Sequence, residues 1–242
     1  MSIEERIETK IVDEFSRFAQ YYNSYSVIQS KVAKLLVSKL SDKRYKRVID
    51  IGCGSGEVYK NLISQNISFE EFIAFDLSPQ MLELHPTTSN ITKICGDFNN
   101  LTSLLELESK DTLILSSSAL QWSSDLDLTL SQISQISPHI NLAIFTSNTF
   151  ATLHKIAKVS SPIYSVEILK EKLSQYYKAS YELKDYKLDF KNTRDMLKYI
   201  KKSGVSGGER RLSFRETKYL IDNYPLDYLE FEILFVESDF LV

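Results

Sequence analysis

The stretch that decides the fold is Val48-Ile49-Asp50-Ile51-Gly52-Cys53-Gly54-Ser55-Gly56. A short apolar run that ends in glycine predicts a buried strand, and the residues from Glu57 onward predict a helix over 57–66. Between them the G-x-G-x-G loop supplies backbone that can turn tightly and pass close to a ligand. The helix N-terminus beyond it offers unpaired N–H groups. A dinucleotide fingerprint, G-x-G-x-x-G, competes for this segment. Its sixth position here is Glu57, an acid that would face a pyrophosphate, which counts against NAD or FAD. Only seven glycines occur in 242 residues, and six fall in two clusters, 52–56 and 204–208. A chain this sparing with glycine uses it where the backbone demands it.

Outward from the loop, the apolar periodicity predicts strand 71–76, helix 79–84, strand 91–95, helix 99–107 and strand 111–117. It continues as helix 126–136, strand 140–147 and helix 150–158. Strands alternating with helices predict an α/β fold: a mostly parallel sheet with helices on both faces. Upstream, residues 4–22 and 26–40 predict two helices, the first with Ile7, Ile11, Phe15, Phe18 and Tyr22 on one stripe. After Pro162 the rhythm changes to helix 165–178, strand 180–190, helices 193–203 and 213–223, and a closing strand 227–237. We expect one domain, with an N-terminal helical part (1–45), a ligand-binding core (46–160) and a C-terminal part (161–242).

Two further strand ends carry acids. Asp76 closes the predicted strand 71–76, one βα unit after the loop, where a carboxylate can accept both hydroxyls of a ribose. Its competing use is a helix N-cap, but Ser78-Pro79 already supplies a cap and N1 pair. Asp97, in Gly96-Asp97-Phe98, is placed to accept an adenine amino group, with an N-cap as the equal alternative. Three such features at successive strand ends predict an adenosyl ligand. Composition narrows the rest: 43% hydrophobic and 25% charged residues suit a soluble globular chain. A net charge of −3 argues against dedicated nucleic-acid binding. Two cysteines, Cys53 and Cys95, exclude a disulfide scaffold or four-Cys zinc site, and His85, His139 and His154 lack metal-ligand spacing. The first residues lack a signal-peptide pattern and no run reads as a bilayer span, so the expectation is a cytoplasmic monomer without membrane, nucleic-acid or metal partners.

These residues resemble the class I S-adenosylmethionine-dependent methyltransferases, with IDIGCGSG as the first motif, AFDLSPQML as the ribose-binding strand end and GDF as the adenine-side motif. The resemblance implies a Rossmann-like fold with a seven-stranded, mostly parallel sheet, an N-terminal helical lid and a C-terminal helical insertion. It implies that Gly52, Cys53, Gly54, Gly56, Asp76, Leu77, Met81, Asp97, Phe98 and Ser116 bind the cofactor, with Asp50 near its methionine end. Three other segments, FSRFAQYYNSYSVIQ (15–29), SSSALQW (116–122) and MLKYIKKSGVSGGERRLSFRE (196–216), resemble the malonyl-acyl-carrier-protein O-methyltransferases. That group implies an early biotin-pathway role, with malonyl-acyl carrier protein or malonyl-CoA as methyl acceptor. Ser117 stands where the group often has Asn, and the sequence around Arg210 and Arg211 departs from its pattern.

A carboxylate acceptor is ionised at neutral pH and needs no general base. No catalytic acid or base is therefore expected, and catalysis would come from positioning and exclusion of water. An anion must still be held, and arginine forks suit it. Arg17, Arg210, Arg211 and Arg215 are candidates, each with a solvated surface role as the alternative. Tyr21, Tyr22, Ser117, Gln121 and Trp122 are candidate substrate contacts, against packing roles for the aromatics. Between Lys184 and Lys218 there are eleven Lys/Arg against five Asp/Glu, a basic patch suited to an acidic carrier or, equally, a solvated face. The rival functions are methylation of a free small acid, as by trans-aconitate methyltransferase, and non-catalytic binding of the cofactor.

Overall fold

The computed structural model describes residues 25–41, 44–107, 109–203 and 213–238. The helix expected over 4–22, with Arg17, Tyr21 and Tyr22, lies outside the described residues, as do Arg210 and Arg211. Seven strands form one sheet: β1 (Arg44–Ile51), β2 (Ser68–Asp76), β3 (Ile91–Cys95), β4 (Thr112–Ser117), β5 (His139–Phe145), β6 (Ala179–Asp189) and β7 (Tyr228–Ser238). Their order is β3-β2-β1-β4-β5-β7-β6. β1 to β5 run parallel, and β7 is antiparallel to both β5 and β6.

The chemistry of β1 shows why this sheet is buried. Arg44 to Arg47 stay half in water, whereas Val48, Ile49, Asp50 and Ile51 are all buried. A strand covered on both faces reads as a continuous apolar run rather than an alternation. Successive side chains still point to opposite faces. Ile49 and Ile51 pack with Leu126, Leu130 and Ile133 of α5 (Leu126–Ile136) and Leu169 and Leu173 of α7 (Val166–Ser174). Val48 instead joins Val37 of α1 (Val27–Ser38) and Val58 and Leu62 of α2 (Glu57–Ser64). A third cluster, around Ile28, Phe150, Met196, Leu220 and Phe231, seats α6 (Ala151–Ala157), α8 (Thr193–Ser203) and α9 (Phe214–Asn223).

Local rules set the helix ends. Ser78 caps α3 (Pro79–Leu84) through the Met81 N–H at 3.3 Å, with Pro79 at the first helical position, and Asp125 caps α5 through the Leu128 N–H at 3.0 Å. The helix expected over 99–107 is only α4 (Thr102–Leu105). Asp97 Oδ1 accepts the backbone N–H of Asn99 at 2.8 Å and its side-chain amide at 2.9 Å, a turn that uses the residues a longer helix would need. Strand 140–147 ends early at Phe145, because Asn148 reaches both Glu232 carboxylate oxygens (3.0 and 3.2 Å) and draws the chain into a turn. Among the described residues no helix is long and apolar enough to cross a membrane.

Candidate functional site

The sheet order reverses at β1: β2 and β3 lie on one side, β4 and β5 on the other. In open α/β sheets the crevice beyond the carboxyl ends at such a reversal is where ligands bind. The glycine loop leaves β1 at this point. Gly52, Gly54 and Gly56 all have positive φ (72°, 52° and 85°), a region that L side chains rarely adopt. At Gly52 the need is also steric, since an added Cβ would lie 2.3 Å from the Cβ of Ala119, just beyond β4. At Gly54 an added Cβ meets nothing within 4 Å, so the backbone here borders open space. The Gly54 conformation aims its N–H at Asp76 Oδ2, 2.8 Å away.

Asp76 is the latch of the loop. Its second oxygen accepts the Ser78 N–H at 2.8 Å, so one carboxylate ties the β1 loop to the start of α3. The N–H groups of Gly52 (2.8 Å) and Cys53 (3.1 Å) also reach across, to the Phe75 carbonyl. Burial raises the Asp76 pKa, while the backbone donors of Ser78, Gly54 and Leu77 pull it back. A carboxylate has about four lone-pair sites. Gly54 and Ser78 take one on each oxygen at 2.8 Å, and even with the Leu77 N–H nearby acceptor capacity is left for a ligand hydroxyl.

Asp50 is in the opposite condition. It is fully buried, and among the described residues neither carboxylate oxygen has a hydrogen-bond partner. Burial, reinforced by the Asp76 charge, pushes its pKa well above the ordinary carboxylate range. A buried acid without a partner calls for an explanation, and a cationic ligand group is the simplest one. Cys53 is also buried, and burial, with Asp76 and Asp50 nearby, raises its thiol well above its usual value. It is accordingly a poor nucleophile.

The other expected residues are distributed as follows. Asp97 is half-buried with one oxygen taken by Asn99; Phe98 packs against the core beside it. Met81 is buried and Leu77 half-buried on the α3 side. The Ser116 hydroxyl is spent on the Ile51 carbonyl at 2.7 Å, which joins β4 to β1. Ser117 ends β4 and its hydroxyl is buried without a partner. Gln121 is buried in the 3-10 turn Leu120–Trp122; its amide nitrogen donates to the Ser118 carbonyl at 2.7 Å and its Oε1 is unpartnered. Trp122 is half-buried in the same turn, and Arg215 is exposed on α9. Among the described residues no group of three or more His, Cys, Asp or Glu could hold a metal ion.

Two residues were missed by the sequence reading. Ser118 sits in the left-handed region at φ 63°, its N–H fixed to the Ala143 carbonyl (2.9 Å) and its hydroxyl buried without a partner among the described residues. Nothing in the sequence signals a strained serine here. Asn99 Oδ1 accepts from Ser123 Oγ (3.2 Å) and the Ser124 N–H (2.9 Å), and so ties the loop after β3 to the loop after β4. Its place two residues after Asp97 was the only available cue.

Comparison with known proteins agrees with this geometry. Residues 48–137 match a family described as methyltransferase domain. A malonyl-[acyl-carrier protein] O-methyltransferase of Priestia megaterium is 30% identical over 149 residues, 58% of this chain and 53% of that protein. The enzyme of the same name from Chlorobium phaeovibrioides is 27% identical over 229 residues, 88% of this chain and 86% of that protein. The chain spans about half the length of the first curated relatives it matches. Among solved structures, Haemonchus contortus phosphoethanolamine N-methyltransferase 2 in complex with S-adenosyl-L-methionine superposes with a TM-score of 0.52 at 14% identity, over 85% of this chain and 52% of that one.

Proposed function

We propose that this chain, which has the class I methyltransferase fold and is similar to malonyl-[acyl-carrier protein] O-methyltransferases, transfers the methyl group of S-adenosylmethionine to the free carboxylate of malonyl-acyl carrier protein. The observation that carries the cofactor assignment is the pairing at the sheet reversal: a glycine loop latched to Asp76, next to a buried Asp50 that has no hydrogen-bond partner among the described residues. A dinucleotide would bring a pyrophosphate to this loop. The two acids, Asp50 and Asp76, favour a ligand with a positive end instead. The acceptor assignment draws its support from the relatives' names and from the three motif segments quoted above.

The residues present fit S-adenosylmethionine. When bound, it supplies a methyl group on a positively charged sulfur, which an ionised carboxylate can displace without prior loss of a proton. Asp76 would accept ribose hydroxyls with its remaining lone-pair capacity, and the free oxygen of Asp97 would serve as acceptor for the adenine amino group. Asp50 answers the positive end. Ser117, Ser118 and the Gln121 turn line the acceptor side, where neutral hydroxyl donors hold a carboxylate without quenching its nucleophilicity. The chain acts as one methyltransferase domain over 1–242, with 1–45 and 161–242 flanking the cofactor core. Incubation with methyl-labelled cofactor and malonyl-acyl carrier protein tests the reading. A base-labile methyl ester is the expected product; cofactor binding with no ester on malonyl-acyl carrier protein, malonyl-CoA or trans-aconitate would reduce the chain to a cofactor-binding protein.

A further inference from the structure

We propose that the outer face of α9 is the docking surface for the acidic carrier protein that presents the acceptor, with Phe214 as its apolar anchor. The inference rests on the carboxylate-methylation reading above. Phe214 is 84% exposed and Tyr219 is 54% exposed, the two most exposed large apolar side chains among the described residues. Neither sits on a frayed end. Ser213 and Glu216 form a reciprocal capping box that holds the first turn, with the Ser213 N–H donating to Glu216 at 2.7 Å. On the opposite side, Leu220 and Tyr224 are buried in the cluster that contains Phe150 and Leu153. The helix is therefore fixed to the body while its aromatic face stays in water. Ordered, exposed aromatic area of this kind is unfavourable unless something covers it.

Charge identifies the occupant. Arg215 and Lys218 are exposed and have no ion pair among the described residues. Positions four apart share a helix face, so Phe214 with Lys218 and Arg215 with Tyr219 make one contiguous patch. Asp222, one turn further on, leaves that patch net positive. Three other cations of the basic stretch are engaged: Lys184 with Glu182 (2.5 Å), Lys198 with Asp195 (3.2 Å), and Lys187 lies 4.2 Å above the Tyr228 ring. Lys191 and Arg194 are exposed without an ion pair among the described residues, but the two most exposed large apolar side chains stand beside the free cations of α9. Aromatic anchors beside arginine are the usual composition of binding hot spots, and the positive charge would repel a basic partner and attract an acidic one. The helix also lies near the right rim. Its buried side packs on α6, which starts six residues beyond the carboxyl end of β5. A carrier seated there can extend a thioester arm toward the β4 turn.

The experiment uses the full chain with Phe214→Ala and Lys218→Glu combined. Two acceptors are compared: malonyl-acyl carrier protein, and malonyl-CoA, which offers the same carboxylate and thioester without the protein. We expect kcat/KM for the carrier to fall at least tenfold and to lose its salt dependence, with malonyl-CoA turnover within twofold of the parent and Tm unchanged. Binding of fluorescently labelled malonyl-carrier, read by anisotropy, gives a second measure that needs no turnover, and we expect Kd to rise at least tenfold. Equal effects on both acceptors, or an unchanged carrier Kd, would overturn the docking assignment. A parent protein that binds the carrier through this face yet methylates neither acceptor would instead overturn the catalytic reading and leave the surface standing.

Discussion

Replacing Asp50 by Asn is expected to stabilise the free protein, and the gain should grow with pH. Asp50 is buried without partners, and its native pKa lies well above the ordinary range because of burial and the neighbouring Asp76 charge. In the unfolded chain the same group titrates near pH ~4. Between those two pKa values the native state holds a proton that the unfolded state has lost. Stability attributable to Asp50 therefore falls as pH rises through that window, by up to about 1.4 kcal/mol per pH unit, and levels off above the native pKa. Asn has nearly the same shape, is never charged, and leaves a similarly unpartnered polar group. Parent and variant should thus be nearly equal in Tm around pH ~4 and diverge above it. For a chain of this size about 1.4 kcal/mol corresponds to about 3–5 °C. Thermal unfolding of both proteins, followed by circular dichroism from pH ~4 to ~8, measures the difference; every other titrating group is common to both curves. Ligand binding should move the other way, with the S-adenosylmethionine Kd rising at least tenfold, about 1.4 kcal/mol. A difference in Tm that stays flat with pH, or a variant less stable at pH ~8, would refute the account of Asp50 as an uncompensated acid.

Gly52→Ala should lower stability by more than the roughly 1–2 kcal/mol of a left-handed non-glycine residue, because its methyl would meet Ala119 at 2.3 Å. Adding Ala119→Gly should recover part of the loss in a double-mutant cycle read by denaturant unfolding, and strict additivity would contradict the contact. Asp76→Ala removes the acceptor of the Gly54 and Ser78 N–H groups; calorimetry should show cofactor affinity down about 100-fold, and an unchanged Kd would remove Asp76 from the site. Ser118→Gly relieves the φ of 63° and should raise Tm, while removal of its hydroxyl raises KM for the acceptor about tenfold. If the glycine variant keeps the parent KM, Ser118 is only a turn residue.

The sheet was legible because its strands obey one-dimensional rules. Val48-Ile49-Asp50-Ile51 is apolar and followed by glycine, and β3, α3, α5 and α8 fall on the residues expected of them. The order of the strands, with β7 inserted between β5 and β6, was not legible in the sequence, since nothing in 228–238 states its neighbour. Asp76 was readable from its place at a strand end; its role in fastening Gly54 was not, because that depends on a φ value in another segment. Asp50 was expected near the cofactor, yet its lack of partners is a property of everything packed around it. The basic stretch 184–218 misled in part. Lys184 and Lys187 lie on β6, an edge strand, where lysines discourage pairing with other chains, and only the structure separates them from the α9 cations, which have no ion pair among the described residues.

The last strand has a consequence for how the molecule comes into being. β6 pairs with β7 alone, and β5 meets its outer neighbour only when residues 228–238 arrive. A ribosome that has released β1 to β5 has delivered the glycine turn and both acids, but the flank of β5 is still bare and β6 hangs without a mate. Nascent chains should thus expose a sticky margin until this late segment emerges, and chaperone capture during synthesis should concentrate in that interval.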